Sequence, residues 1–282
     1  MSTPRWQLRY APHLGVRSLD TPLFKETLQT LDPIAHIRHA AELGFAGIAD
    51  NLAKVRPRDE QERMGAELAR LGLAMSAFSS NPSFDNVSAW GSRDADVLAA
   101  LEQEMLASIE TARRLGGRTI VVTGKRDLRV PIGFELANMV ANLKELVHIA
   151  AKADVVLCLE HTSESRVPGR LLHHLADAYR VVQAVASPHV QLVFDTFHTQ
   201  AMDGDLINNF RRVRDCVAIV QIADCPGRFE PGTGEINFVN FLRVLRQEKF
   251  SGLVELEYFI SKPGAGGEQH ALQTLRDIDA MV

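Results

Sequence analysis

The sequence predicts an α/β fold of the (β/α)8, or TIM, barrel type. Three observations lead there. Eight short apolar runs, rich in β-branched residues, alternate with longer stretches of helical periodicity. The chain has 282 residues, near the ~250 typical of such a barrel. The first run leads into Ala11-Pro12-His13-Leu14-Gly15, without the glycine-rich turn that a doubly wound sheet, the rival architecture, usually carries.

The runs are Trp6 to Tyr10, Phe45 to Ala49, Leu73 to Phe78, Thr119 to Thr123, Val155 to Leu159, Val190 to Phe194, Val217 to Ile222 and Leu253 to Tyr258. Stretches such as Thr119-Ile120-Val121-Val122-Thr123 are too short for helices and too β-branched to favour them. The first helix spans Pro33 to Leu43: Asp32 is a good N-cap, Pro33 suits the first helical position, and Gly44 stops it. Further helices are expected over Glu60 to Leu71 before Gly72, Arg93 to Leu115 before Gly116, Gly133 to Ala151, Arg170 to Ala186, Gly204 to Asp215, Asn237 to Glu248 and Glu268 to Met281. Two long irregular stretches, Pro12 to Leu31 and Ser79 to Ser92, read as binding or lid loops, with Trp90 a candidate lid residue. No linker or repeat divides the chain, so residues 1–282 are expected to form one domain.

Hydrophobic residues make up 46% and charged residues 23%, with 31 Lys+Arg against 35 Asp+Glu, an ordinary globular mix. The net charge of −4 argues against a nucleic-acid partner bound by bulk positive charge. Cys158, Cys216 and Cys225 show no CxxC spacing, which points to neither a disulfide framework nor a zinc knuckle, and to a reducing, cytoplasmic setting. No apolar leader segment follows Met1, and no apolar run reaches membrane-spanning length, so no membrane partner is expected. The expected partner is a small-molecule substrate, and a homo-oligomer is left open.

Barrel active sites lie at the C-terminal ends of the strands. There the sequence places Glu160, Asp195, Gln221 and Glu257, separated by 35, 26 and 36 residues, each about one strand–helix unit. A lone acidic residue at a strand end often just caps the next helix or pairs with a basic neighbour. Four oxygen donors converging from adjacent strands would repel one another unless a divalent cation sat among them, and an all-oxygen set favours Mg²⁺ or Mn²⁺.

The segment Val220-Gln221-Ile222-Ala223-Asp224-Cys225-Pro226-Gly227-Arg228-Phe229-Glu230-Pro231-Gly232-Thr233-Gly234-Glu235-Ile236-Asn237-Phe238 resembles the signature of hydroxypyruvate isomerases. These are xylose isomerase-like TIM barrels, a superfamily that also holds ketose 3-epimerases and endonuclease IV. Glu160 followed by Arg166-Val167-Pro168-Gly169, the Asp195-x-x-His198 spacing and Glu257-Tyr258 are similar to further pieces of the family. The resemblance runs from about residue 155 to 260. Before residue 120 it fades: Ala49 or Asp50 stands where the family has a glutamate, and Pro12 to Leu31 is longer than expected.

The resemblance implies that Glu160, Asp195, Gln221 and Glu257 ligate the cation, with Gln221 where many relatives have histidine, and that His198 and Arg228 contact substrate. Glu160 and Glu257 would then serve as catalytic base and acid, isomerising a small hydroxy-oxo acid or sugar acid through an enediolate. The substrate carboxylate needs a cation: Arg228 first, then Lys125 with Arg126, then Arg166. His13 is a candidate pocket residue. Asp224 is read as ordering the Pro226-Gly227 turn, Glu235 as a loop anchor, and Glu255 as a carboxylate one layer deeper in the barrel with an unidentified partner. Cys225 shows no sign of a nucleophile, and His36, His39, His173 and His174 are expected at the surface of helices. The same carboxylates and cation could serve a decarboxylase or lyase of a 3-oxo sugar acid, or a ketose 3-epimerase. A nuclease would want histidine where Gln221 stands, and a non-catalytic sugar-binding barrel would not need both glutamates.

Overall fold

The computed structural model describes residues 6–82 and 89–282. The first five residues, and the middle of the long stretch after the third run, lie outside the described residues. Seven parallel strands form one sheet in the order β1-β9-β8-β7-β6-β5-β4: β1 is Tyr10–Pro12, β4 Ala77–Ser79, β5 Thr119–Val122, β6 Val156–Leu159, β7 Val190–Asp195, β8 Val217–Ile222 and β9 Leu253–Leu256. The short strands β2 (Gly47–Ile48) and β3 (Ala74–Met75) pair with each other. They close the cylinder. Ala46 N–H and Ala49 N–H donate to the carbonyls of Tyr10 and Pro12 (2.9 and 3.0 Å), while Ser76 N–H and Asp50 N–H bind those of Ile48 and Ala77 (2.8 and 3.1 Å). β3 and β4 are thus one stave interrupted at Ser76, and eight staves are present as predicted, although the first, Tyr10–Pro12, shares only Tyr10 with the expected run Trp6 to Tyr10.

Helices cover the outside. The expected stops hold: α2 (Pro33–Glu42) is N-capped by Asp32, which accepts from Ile34 N–H, while α3 (Arg58–Leu71) and α4 (Ala95–Leu115) end at Gly72 and Gly116 in the left-handed conformation. The remaining helices are α1 (Lys25–Leu28), α5 (Ile132–Lys152), α6 (Leu175–Val185), α7 (Thr196–Met202), α8 (Leu206–Val213), α9 (Phe238–Gln247) and α10 (Gly264–Ala280). Two differences matter. The stretch Pro12 to Leu31 contains α1, whose Glu26 and Thr27 N–H groups donate to the buried Glu268 carboxylate on α10 (2.7 Å each). A helix also starts directly after β7, because Asp195 caps α7 through a bond from His198 N–H (2.8 Å). The expected helix at Arg170 begins only at Leu175.

Side chains alternate in and out along each strand. Ala77, Val121, Cys158, Val193 and Ile219 fill the barrel interior as a separate apolar cluster. Their neighbours, among them Phe78, Ile120, Leu157, Phe194, Val220 and Leu256, pack outward under the helices. Phe194 stacks on Phe241 (centroids 5.7 Å apart) and meets Phe210 edge-on at 5.4 Å. His36 is buried in α2 rather than exposed, its ring bonded to the Thr30 carbonyl (2.9 Å). Trp90 is also buried, so it is a packing residue and not an exposed lid.

Phe194 is fully enclosed by this aromatic group. Phe194→Ala is expected to destabilise the fold by about 3–5 kcal/mol, read from urea denaturation with an unchanged m-value. A loss under about 1 kcal/mol would contradict this account of the outer core.

Candidate functional site

Two residues beyond the apolar interior layer, the same alternation puts chemistry at the mouth: Glu160 after Cys158, Asp195 after Val193, Gln221 after Ile219. Asp195 and Gln221 are register partners across β7 and β8, and Gln221 is level with Glu255 across β8 and β9, which leaves Glu257 one step higher. A cavity of about 80 Å³ opens above them, lined by Glu160, Glu257, His198 and Arg228 on its floor, with Arg17, Asn51, Arg166 and Arg170 among its other lining residues.

Glu160, Asp195 and His198 each offer one ligand-type atom within 4.8 Å of the others. Arg228 ties Glu257 to them: its Nη2 lies 2.8 Å from Asp195 Oδ2 and 3.3 Å from Glu257 Oε1. Asn51 Nδ2 donates to the same Glu257 oxygen (2.9 Å). Burial works against the Asp195 charge, but Arg228 holds that carboxyl down at about 2. Burial and the repulsion of Glu257 and Asp195 push Glu160 well above the carboxylate range, and burial also raises Glu257, partly offset by Arg228. Three carboxyls therefore share one guanidinium, a surplus of negative charge in a buried site.

The donor set fits a divalent cation. Gln221 Oε1 and Glu257 Oε2 are buried oxygens with no partner among the described residues, and together with Glu160 and Asp195 they would offer oxygen donors of the kind hard cations take. His198 does not join it. Its Nδ1 accepts from Ser163 N–H (3.0 Å), and burial pushes the ring down to about 3, so it is neutral with the proton on Nε2. That Nε2–H faces Glu160 and Asp195 at 3.9 Å each and is a donor, not a ligand.

Arg228 is held by a loop that the sequence builds around Asp224. The Asp224 carboxylate accepts from the N–H groups of Cys225 (2.9 Å), Gly232 (2.9 Å), Gly234 (2.8 Å) and Ile236 (3.0 Å). A Cβ at Gly234 would lie 2.0 Å from the Cys225 carbonyl oxygen, so only glycine fits there. Arg228 itself sits at φ 57°, a left-handed conformation costing a non-glycine residue ~1–2 kcal/mol. It is fixed there by its N–H to the Asp224 carbonyl (2.8 Å), by Phe259 N–H to its own carbonyl (3.0 Å), and by the Phe197 ring 5.1 Å from its guanidinium. Asp224 therefore orders the loop, as its position suggested. Glu235 anchors that loop by accepting from Gln200 Nε2 (3.0 Å), and burial raises the Cys225 thiol to about 11, far from a nucleophile's range.

Seven of the predicted residues come together: Glu160, Asp195, Gln221, Glu257, His198, Arg228 and Arg166. Two do not. Lys125 is exposed beside a separate groove with Arg93, Arg126 and Arg129, because the chain after β5 bridges to Arg170 and leaves the mouth. His13 is buried off the cavity lining, its Nε2 spent on the Tyr258 carbonyl (3.1 Å). Asp50, standing where the family shows a glutamate, is bound to Arg56 Nε (2.5 Å) and does not line the cavity. Sequence reasoning missed Asn51, Arg17 and Arg170. Asn51 was findable, two positions beyond the inward Ala49.

With this geometry in place, the comparisons are specific. A model of the xylose isomerase-like TIM barrel matches residues 37–278. The chain belongs to that family. It is 32% identical over 177 residues to a hydroxypyruvate isomerase of Escherichia coli K12, covering 60% of this chain and 67% of that one. Proteins of Homo sapiens, Mus musculus and Danio rerio named putative hydroxypyruvate isomerase are matched over 48, 50 and 56% of their lengths. A 2-oxo-tetronate isomerase of Cupriavidus necator is 27% identical over 234 residues, covering 78% of this chain and 86% of that one. The crystal structure of an AP endonuclease of family 2 from Brucella melitensis superposes with a TM-score of 0.78 at 23% identity, over 92% of this chain and 96% of that chain, a likeness of fold. Among the described residues no helix is long and apolar enough to cross a membrane.

Asp224→Ala leaves four backbone N–H groups without their acceptor. The expected result is a loss of about 1–3 kcal/mol or more, seen as a lower urea midpoint, together with proteolytic cleavage between residues 225 and 236. An unchanged midpoint would show that Asp224 does not hold this loop.

Proposed function

We propose that the protein isomerises a small hydroxy-oxo acid of the hydroxypyruvate or 2-oxo-tetronate kind, moving a proton between adjacent carbons through an enediolate, with the help of Mg²⁺ or Mn²⁺. It is an isomerase, in keeping with the relatives it aligns with. One observation carries the reading: two carboxyls from separate strands, Glu160 and Glu257, face a single small cavity whose other lining groups include arginines.

The cation would be held by Glu160, Asp195, Gln221 and Glu257. When bound, it supplies polarisation of a carbonyl and its neighbouring hydroxyl and stabilises charge developing on oxygen. The proton itself is handled by the chain. Glu160 and Glu257 arise from β6 and β9, which are not neighbours in the sheet, so they can reach a bound substrate from different directions. One takes the proton and the other returns it one carbon along, each contribution typically ~10²–10⁴-fold. His198 Nε2–H is placed to donate to a substrate oxygen.

The substrate carboxylate falls to different arginines from the first choice made on sequence. Nη2 of Arg228 is already taken by Asp195 and Glu257, leaving Nη1 and no open fork. Arg166 and Arg170 also line the cavity; the Nε of each is buried without a partner, and neither guanidinium is paired with a carboxylate among the described residues. The Arg166 guanidinium stands between the rings of Phe197 and Phe259, at 6.0 and 5.9 Å, which fixes its plane. An anion there would relieve the mutual repulsion of Arg166, Arg17 and Arg228.

The test is a panel of oxo acids and ketoses with Mg²⁺- or Mn²⁺-loaded protein in D₂O, followed by NMR. Hydroxypyruvate and tartronate semialdehyde should interconvert with solvent deuterium entering the product, and chelation should stop it. Release of CO₂ would replace the reading by a lyase, and turnover confined to ketoses by an epimerase. Glu257→Gln should lower kcat by about 10²–10⁴-fold while calorimetry still detects weakened Mn²⁺ binding; normal turnover would refute the acid–base assignment. Arg166→Met should raise KM for the acid by about 10–100-fold, as loss of a charged hydrogen bond does, with a smaller change in kcat. An unaltered KM would remove Arg166 from carboxylate recognition.

A further inference from the structure

Among the described residues, Glu255 is a buried carboxylate on the inward face of a barrel strand that the proposed chemistry does not use. It is 1% exposed, on the inward face of β9, in register with Gln221 and two residues before Glu257. A carboxylate there is costly to bury and needs a reason. Its Oε2 accepts from Gln221 Nε2 at 2.9 Å. The Ser76 hydroxyl and the Ala77 N–H face the same carboxylate from the β3–β4 stave. The Gln221 amide N–H₂ can only donate, so toward Gln221 the carboxylate acts as an acceptor.

The consequence falls on Gln221. A glutamine amide has two chemically different ends, and only the oxygen can bind a cation. With Nε2 tied to Glu255 from below, Oε1 is the end left over, and it is buried with no partner among the described residues. Gln221 shares its register position with Asp195, one of the proposed ligands. Without a fixed acceptor beneath it, the amide could turn and present N–H₂ to the cation, which would then meet two donors where it needs a lone pair.

We infer that Glu255 is a positioning residue that pins the Gln221 side chain so that its oxygen, not its nitrogen, faces the cation site. This rests on the cation reading above. It also explains how a chain with glutamine on this strand can complete a ligand set: the amide becomes a dependable oxygen donor only when its orientation is fixed from outside. Partners that orient a ligand in this way typically account for 10–100-fold in metal affinity.

The experiment uses the full-length protein and Mn²⁺ alone, with no substrate. Glu255→Met keeps the volume and suits the surrounding apolar layer, so the variant should fold; a metal-free thermal melt checks this. Two quantities are read: Mn²⁺ affinity by calorimetry, and the side-chain ¹H–¹⁵N resonances of Gln221 in the metal-free protein, assigned with Gln221→Leu. In the wild type, one Gln221 amide proton should be shifted downfield and protected from exchange by its carboxylate partner. In Glu255→Met that signature should vanish and Mn²⁺ affinity should fall about 10–100-fold. Unchanged affinity in the variant overturns the inference. A fall in affinity with the Gln221 signature intact also overturns it, because Glu255 would then act through charge alone. A wild-type protein that binds no Mn²⁺ sinks the cation reading itself, which separates the two failures.

Discussion

Three carboxyls and one guanidinium share the mouth of this barrel, and much of the surrounding architecture serves to hold that imbalance in place. Arg228 neutralises Asp195 fully and Glu257 in part, and Glu160 is left with two like charges near it. A fold does not gather such groups for stability, since well-packed apolar residues would do as well. The expense is visible around Arg228. It is kept in a left-handed backbone conformation by a loop whose geometry depends on four N–H groups converging on Asp224 and on a glycine where a side chain would strike a carbonyl. Strain retained at a functional group and over-determined by its surroundings is what a pre-organised site requires.

The strand period of two is the device that separates stability from chemistry. One set of inward positions is apolar and seals the cylinder; the next set, two residues along, is polar, and Ser79, Thr123 and Glu160 of it line the cavity. Glu255 is a buried carboxylate placed beside the proposed ligand that is an amide instead of a carboxylate. The two sit level on adjacent strands and are bonded to each other, which is why they are better understood as one feature than as two.

The architecture and the inner part of the site were legible because both follow from periodicity. Strand runs, glycine stops and the spacing of Glu160, Asp195, Gln221 and Glu257 are local or nearly local signals, and the barrel converts their regular gaps into one rim. What the sequence hid depends on where a chain goes after leaving a strand. Lys125 and Arg170 look equivalent as basic residues in loops, yet the bridge between them leaves one exposed and the other buried against the cavity. His36 lies on a helix like a surface residue, but its face of α2 is turned to the core. Glu255 was placed correctly in its layer from alternation alone, whereas its partner could not be named, because pairing across strands needs the register. Asp195 has two roles that a linear motif merges: one oxygen caps α7 through His198 N–H and the other meets Arg228, so the Asp-x-x-His spacing is a helix N-terminus as much as a site signature.

The signature that resembles hydroxypyruvate isomerases lies in the second half of the chain, from about residue 155 to 260, while the family model matches residues 37–278. Every proposed cation ligand, the donor histidine and the clamp arginine come from that second half. The first half reaches the cavity through residues that include Val16, Arg17, Asn51, Leu52, Ser79 and Thr123, and Asn51 donates to the proposed ligand Glu257. Chemistry common to a family constrains the groups that handle the proton and the charge it leaves behind, whereas the far end of the substrate differs between members. Early loops such as the stretch from Pro12 to Leu31, which contains α1 and brings Val16 and Arg17 to the cavity, can therefore vary without disturbing the rim.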